Sequence, residues 1–520
     1  MKKIIFAVCV LSISCNSSRK TVTESKETTS TNSNASIYAK SITEAELKTY
    51  LYTYASDEFE GRETGQPGQK KAAAYLKEAY IKMGVPAAKG GKNYFQNVPL
   101  EIKKAPKGFI TIDNNKYVVG EDFLTFSVAN DSFSEIIYAG YGIVDNAYSD
   151  YKNLDIKGKI VLIKSGEPKL ENGSYVISGS TKTSVWSDPS KANEKRMKIA
   201  KEKGAKGVIY YDQQNYSRYL SYFNRMKSNA NGRMSLKKAT TDNFITVYIN
   251  SKLAIALNSS IDKEATSKTL ATEITFNVTS DSQDINSENV AAIIKGSEKP
   301  NEYLIISSHL DHIGISKNGE INNGADDDGS GTVALLEIAQ AFKKAADAGN
   351  GPKRSIVFLH VTGEEKGLFG SQYYTDIEPI FPLEQTVANL NIDMVGRIDP
   401  KREGDRNYIY LIGSDKLSTD LHNISEKANS EYTKIELDYK FNDENDPNRF
   451  YYRSDHYNFA KNNIPVIFYF NGTHDDYHRP SDTADKINYD LLENRSRLIF
   501  YTAWDVANRK DRVAVDKVAK

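Results

Sequence analysis

Four apolar segments in the C-terminal part of the chain run straight into residues that can hold a metal. This repetition limits the fold more than any other feature. YLIISSH (303–309) ends at His309 and is followed by Asp311 and His312, and IVFLHVTG (356–363) meets Glu364 and Glu365. VANLNI (387–392) stops at Asp393, and PVIFYF (465–470) leads into GTHDDYHRPSDT, which carries His474 and His478. A further loop holds three consecutive aspartates, Asp326 to Asp328, followed by Gly-Ser-Gly. Short apolar runs of this kind read as buried strands. The segment after the aspartates, Thr332 to Ala345, has apolar residues at Ala334, Leu335, Ile338 and Phe342, which is helical spacing. Strands alternating with helices imply an α/β domain with a mixed, mostly parallel sheet flanked by helices. Ligands of such sheets bind beyond the carboxyl ends of the strands. Imidazoles and carboxylates gathered there without thiolates suit zinc.

The N-terminus, MKKIIFAVCVLSISC, has Lys2 and Lys3, an apolar stretch from Ile4 to Ile13 and then small residues, the parts of a secretory signal. The stretch is too short to span a bilayer as a helix. Its end at Ser14-Cys15 resembles a bacterial lipoprotein signal, although Ser12 stands where Leu is usual. The expectation is a signal over 1–14, a lipid on Cys15 as the membrane attachment, and an exported chain held at the cell envelope, with ordinary secretion as the alternative. Cys9 and Cys15 are the only cysteines, so after cleavage neither a disulfide nor a four-thiolate zinc site can form. Residues 15–40 are rich in Ser, Thr, Asn, Lys and Glu without apolar periodicity and read as a flexible tether. The balance of 68 basic and 68 acidic residues recommends no nucleic-acid partner.

Ordered sequence is expected from Ser41. Thr43 and Glu46 form a capping box before a helix through Tyr54. A polar loop, SDEFEGRETGQPGQ, precedes a second helix over about 69–83, and FQNVPLEI (95–102) reads as a strand. From 105 to 280 short β-like pieces alternate with Gly, Asn and Asp turns, and no histidine occurs before His309. Imidazole ligands therefore cannot come from this region. The segments AGYGIVDNAYSDYKNLDIKGKIVLIK (139–164) and AKEKGAKGVIYY (200–211) resemble the protease-associated domain. The division that follows is a discontinuous catalytic domain, 41–104 and 281–520, interrupted by a β-rich protease-associated domain at 105–280. The insert reads as a lid over the substrate path or as a spacer.

The ordered set His-x-Asp, Gly-Ala-Asp-Asp-Asp-x-Ser-Gly, Thr-Gly-Glu-Glu, Asn-Ile-Asp-Met and Tyr-His-x-Pro-x-Asp-Thr resembles the co-catalytic zinc peptidases of the bacterial leucine aminopeptidase and glutamate carboxypeptidase family. The resemblance implies two Zn²⁺ ions bridged by Asp327, one held by His309 and Asp393, the other by Glu365 and His478. It implies that Asp311 sits behind an imidazole and fixes its tautomer, and that Glu364 is the general base. Tyr477, beside His478, is a candidate donor to the oxyanion. Three carboxylates and a hydroxide would balance the four positive charges of the two ions, which suits a site of low dielectric. His456, in Arg453-Ser-Asp-His, resembles a motif that supports the ligands from behind. His360 alternates along a strand and reads as core, and His422 as surface. His312 and His474 match no ligand position of the family.

The activity implied is release of the N-terminal residue from peptide substrates. A carboxypeptidase stays open, with Arg397, Arg449 and Arg453 as groups able to receive a terminal carboxylate. So do a glutaminyl-type cyclase and a non-catalytic binding protein. Cyclases use one zinc and receptor relatives lose ligands, whereas every ligand position here is filled.

Overall fold

The apolar segments are the middle strands of a nine-stranded sheet in the computed structural model, which describes residues 35–145, 148–237, 243–263 and 266–517. In chain order the strands are β1 (Phe95–Lys103), β2 (Arg233–Leu236), β3 (Ser282–Ile294), β4 (Lys299–His309), β5 (Arg354–Val361), β6 (Thr386–Ile392), β7 (Tyr408–Ile412), β8 (Glu436–Asp438) and β9 (Val466–Phe470). They lie side by side as β2-β1-β3-β5-β4-β6-β9-β7-β8. The run β5-β4-β6-β9 is parallel throughout, while β3 and β7 flank it antiparallel, so the sheet is mixed. Every residue of β5, β6 and β9 is buried. Both faces of a parallel sheet are covered, so apolar residues fall on either face of these strands, and the polar ones inside them, such as Asn389 and Asn391, are buried and hydrogen-bonded.

Helices α1 (Glu44–Tyr54), α2 (Pro67–Met83), α3 (Gly331–Asp347) and α4 (Tyr489–Asn508) share one large apolar cluster with the sheet. Thr43 caps α1, its Oγ1 accepting from the Glu46 amide at 3.3 Å and donating to the Glu46 carboxylate at 3.3 Å. The helices Phe369–Asp376 and His456–Ala460 contribute Tyr374 and Phe459 to a second cluster, together with Ile305, Val357 and Leu359 of the strands. No helix among the described residues is long and apolar enough to cross a membrane. The signal and Cys15 lie outside the described residues.

Residues before Ser41 are already part of the core. Residues 35–39 are helical, Ala35 and Ala39 are buried in the main core, and the Tyr38 ring stacks on Trp504 with centroids 5.9 Å apart. Residues 35–40 therefore do not belong to a flexible tether. Two small residues four apart make a narrow apolar stripe that a polar composition hides.

Between β1 and β3 the chain builds an apolar core of its own, from Ile110 to Val278. It carries a six-stranded sheet with Ile160–Lys164 and Gly207–Tyr211 at its centre, and a four-stranded sheet with Lys107–Ile112 and Ile274–Thr279 paired. One piece of this span leaves it: β2 pairs antiparallel with β1, Leu100 opposite Leu236, and covers the edge of the large sheet. Strands β1 and β3 pair continuously from Phe95–Val290 to Lys103–Ser282 and form the stalk of the insert.

His360 lies inside β5, as its alternation suggested, with Nε2 2.8 Å from Tyr80 Oη and Nδ1 2.9 Å from Ser308 Oγ. Burial pushes it down to about 3. The unfolded chain takes up this proton near pH ~6.5, whereas the folded chain resists it. The stability contribution is therefore complete above that pH and declines as pH falls from ~6.5 towards 3. At pH 5 the loss from this one group is on the order of 2 kcal/mol. Denaturant titrations at pH 7 and pH 5 should show a smaller acid-induced drop for His360→Gln than for the natural chain. Equal drops would mean that His360 is not the neutral core group described.

Candidate metal centre

Because β5, β4, β6 and β9 are parallel neighbours, their carboxyl ends open on one edge. His309 is the last residue of β4, Glu364 and Glu365 follow β5, Asp393 follows β6, and the loop after β9 carries His478. The turn Ala325–Ser330 brings Asp327 to the same edge at the start of α3. All five expected ligands converge there. Asp327 Oδ1 lies 3.2 Å from His309 Nε2, which also has Asp393 Oδ1 at 3.6 Å. Asp327 Oδ2 lies 3.0 Å from His478 Nε2, which has Glu365 Oε2 at 3.2 Å. One carboxylate thus faces two separate pairs, each of one imidazole and one further carboxylate.

The tautomer of His309 follows from its other nitrogen. Nδ1 lies 2.9 Å from the carbonyl oxygen of Asp311, which can only accept, so Nδ1 carries the hydrogen. In the neutral ring Nε2 then directs a lone pair at two carboxylate oxygens, which calls for positive charge at that place, a proton on the ring or a cation between them. Burial opposes charge on His309, but Glu364, Asp327 and Asp393 outweigh it and hold the imidazole well above its usual range. His478 shows the same balance: burial opposes, hydrogen bonding to Asp327 and Glu365 prevails, and the ring is pushed up to about 10. Asp327 Oδ2, Glu365 Oε1 and both ring nitrogens of His312 are buried with no hydrogen-bond partner outside this group, in which Glu365 Oε1 and His312 Nδ1 are 2.8 Å apart and Asp327 Oδ2 is 3.0 Å from His478 Nε2. Donors of this chemistry, imidazole nitrogen and carboxylate oxygen, fit zinc.

The outer aspartates of the triplet do different work from the middle one. Asp328 accepts main-chain N–H groups from His309, Gly331 and Met394 at 3.0–3.1 Å and so ties β4, α3 and the end of β6 together. A Cβ on Gly331 would come 2.3 Å from Asp328 Oδ1, which accounts for the glycine. Asp326 accepts from the Gly396 amide at 2.7 Å, Ser330 Oγ at 2.9 Å and Asn471 Nδ2 at 3.1 Å. His474 lies behind Asp326, at 3.2 Å, and stands outside the ligand set. Asp482 accepts from the amides of both Asp326 and Asp327.

The structure refines several expectations. The group fixing the His309 tautomer is the Asp311 carbonyl, since the Asp311 carboxylate is 4.0 Å from Nδ1. That carboxylate instead accepts from Thr64 Oγ1 at 2.6 Å and from the Glu364 amide at 3.2 Å. His456 stacks on Phe468 with both ring nitrogens unpartnered. The supporting member of its motif is Ser454, whose Oγ donates to Asp393 Oδ2 at 2.6 Å. Sequence reasoning missed His312, which is fully buried with Nδ1 2.8 Å from Glu365 Oε1 and 3.7 Å from Asp327 Oδ2. The available signal was its place three residues after His309 on the same loop.

Glu364 faces the cluster. Burial raises its carboxyl well above the ordinary range, His309 opposes this, and Asp393, Glu365 and Asp455 add to it. The Tyr477 ring stacks on His478 with centroids 3.9 Å apart. Burial and then Asp327, Glu365 and Glu364 raise its phenol. Arg397 donates to Asp476 at 2.9 Å and lies 3.8 Å from Asp482, which makes it an ion-pair partner of the loop that bears His478.

Residues 289–503 match peptidase family M28, and residues 128–257 match the PA domain. Leucine aminopeptidase 2 of Arthroderma otae is 27% identical over 258 residues, 45% of this chain and 48% of that protein. A protein of Arabidopsis thaliana named "Probable glutamate carboxypeptidase LAMP1" is 36% identical over 106 residues, 20% of this chain and 14% of its own length. The chain thus spans between a seventh and half of the curated relatives it matches. An aminopeptidase from Aneurinibacillus sp. strain AM-1 aligns with 92% of this chain and 97% of its own, at 21% identity and a TM-score of 0.45. Over residues 289–503 the chain is thus similar to peptidase family M28, and over residues 128–257 to the PA domain.

Proposed function

We propose that the chain is a two-zinc exopeptidase that removes the N-terminal residue of peptides. The observation that carries this reading is the placement of Asp327, one oxygen towards each of two histidine–carboxylate pairs. His309 and Asp393 would hold one zinc, His478 and Glu365 the other, with Asp327 shared. A pair of such ions acidifies water and polarises a carbonyl group when bound.

The remaining steps belong to the chain. Glu364 is the proton carrier, taking a proton from water and returning it to the leaving amine. Its raised carboxyl suits both duties once positive charge beside it offsets the surrounding carboxylates. Tyr477 keeps its hydrogen at neutral pH and is suited to donate to the substrate carbonyl oxygen as charge develops there. Asp311 seats this apparatus, since its two carboxylate oxygens and its carbonyl engage Thr64, the Glu364 amide and His309.

The surroundings favour an N-terminal ammonium over a C-terminal carboxylate. Glu364, Asp393 and Asp455 interact electrostatically with one another, and Arg397 is already paired with Asp476. A carboxypeptidase would have to use Arg449 or Arg453, which lie over the rings of Tyr452 and Phe450 at 4.8 and 5.0 Å.

Glu364→Gln should retain two zinc ions per chain by mass spectrometry of the intact protein while turnover falls by about 10²-fold or more. Persisting activity would remove Glu364 from the role of base. Amino-acid anilides should be hydrolysed, whereas N-blocked peptides should not. Preference for the C-terminal bond of acidic peptides would replace the aminopeptidase reading with the carboxypeptidase one. Export with a lipid on Cys15 belongs to the same proposal. The mature chain purified from cell envelopes should start at Cys15 and carry added acyl mass, and an unmodified N-terminus would refute the attachment.

A further inference from the structure

A short N-terminal segment, Arg62-Glu63-Thr64, touches the segment after β4, the turn that leads to Asp327 and the loop after β5, although it lies outside the residues that match the peptidase family. The Arg62 side chain is 1% exposed. Its Nε donates to Leu310 O at 3.2 Å, Nη1 to Tyr54 O at 3.2 Å and Asn323 O at 2.7 Å, and Nη2 to Gly324 O at 2.9 Å. Leu310 separates His309 from Asp311, and Gly324 stands three residues before Asp327. A single planar guanidinium therefore spans the two loops that supply one ligand of one half-site and the shared carboxylate.

The main chain of the segment follows the same course. The amides of His312 and Gly314 donate to the carbonyls of Arg62 and Gly61 at 3.2 and 3.0 Å. Gly61 has a φ of 65°, and a Cβ there would come 2.4 Å from Asn322 O and 2.7 Å from Gly314 O, so the segment is threaded tightly between these loops. Glu63 pairs with Lys366 at 2.8 Å, next to Glu365. Thr64, fully buried, donates to Asp311 Oδ2 at 2.6 Å, while Asp311 Oδ1 accepts the Glu364 amide.

We propose that Arg62-Glu63-Thr64 is a clasp that sets the spacing of the metal-bearing loops and the seat of Glu364, with Arg62 and Thr64 as positioning residues. The proposal rests on the two-zinc reading above. Its physical basis is that, apart from His309 at the end of β4, the ligands come from loops beyond the strand ladders. A misplacement of about 1 Å at such a site can cost about 10²-fold in rate. Lysine cannot replace the arginine, because a point charge on a flexible stem does not supply a rigid fork of donors to several carbonyls at once.

The test uses the full chain and compares Thr64→Val, Thr64→Ser and Arg62→Lys with the natural protein. Thermal melting, zinc stoichiometry, zinc retention against a chelator, kcat and KM are measured for each. Thr64→Val should remain folded with two zincs and a KM within about twofold, with kcat lower by about tenfold or more, and Thr64→Ser should restore kcat. Arg62→Lys should surrender zinc to the chelator about tenfold more readily. A wild-type kcat in Thr64→Val overturns the clasp, as does a loss that serine does not restore, which would assign the effect to packing. Should Arg62→Lys fail to fold, the Thr64 pair decides. A natural chain that binds zinc but cleaves no peptide refutes the function reading, and zinc retention in Arg62→Lys then judges the clasp. A natural chain that takes up no zinc refutes both.

Discussion

The carboxylate of Asp327, held between His309 and His478, is the contact around which the edge of the sheet is arranged. Its setting is costly. Asp311, Asp326, Asp327, Asp328, Asp393, Asp455 and Asp482 are all buried, and buried anions need donors or counter-charge. Most of them have donors. Asp328 takes three main-chain amides, Asp326 takes an amide, a hydroxyl and a carboxamide, Asp482 takes two amides, and Asp455 takes the Ser371 hydroxyl. Asp327 Oδ2, Glu365 Oε1 and Asp455 Oδ2 each lack a hydrogen-bond partner, and the first two face imidazole nitrogens, 3.0 Å from His478 and 2.8 Å from His312. The remaining oxygen of Asp393 points at the lone pair of His309. The unsatisfied negative charge is thus concentrated at one place between the imidazoles.

The same distinction shows what the sequence could and could not reveal. Strands buried on both faces are rich in apolar residues along their whole length, so their ends were visible, and with them His309, Asp393, Glu365 and the loop of His478. The choice of Asp327 within an Asp-Asp-Asp run came from family likeness, because three adjacent acids are indistinguishable by composition. The structural reason lies in which of them meet amides from β4, β6 and α3, and those contacts depend on tertiary placement. Asp311 illustrates the limit at finer scale: its position was legible, but whether its carboxylate or its carbonyl meets His309 is set by the turn of the backbone. Ser454 was hidden behind the more conspicuous His456, although a hydroxyl is the natural donor to a carboxylate ligand.

Arg62 was invisible for a different reason. A single arginine in a polar, turn-rich loop has no periodic signal, and its burial depends on carbonyls supplied by chain almost 250 residues onward. The four residues of β2 were likewise too few to read as a strand of the large sheet, and they pair with it only because β1 otherwise leaves an open edge. In each case the missing information is long-range. Ladders and apolar faces announce themselves locally, whereas side-chain clamps on irregular backbone do not.

The position of the insert follows from the same accounting of backbone groups. The ladder between β3 and β5 stops at Val290–His360, after which β5 turns away into the loop of Glu364 and Glu365. The main-chain groups at the two ends of that loop need partners, and one side chain supplies them. Asn289 accepts the Thr362 amide at 2.9 Å and donates to Gly370 O at 3.0 Å, while Ser287 Oγ lies 2.6 Å from Thr362 Oγ1. Asn289 and Ser287 belong to β3, the returning strand of the stalk, and Gln96 on the outgoing strand β1 accepts from Asn289 at 2.9 Å. The stalk therefore cannot slide along β5 without opening the bonds that close the glutamate loop. The β-rich insert is joined to the molecule at a point where the geometry of Glu364 and the register of its own supporting strands are one constraint.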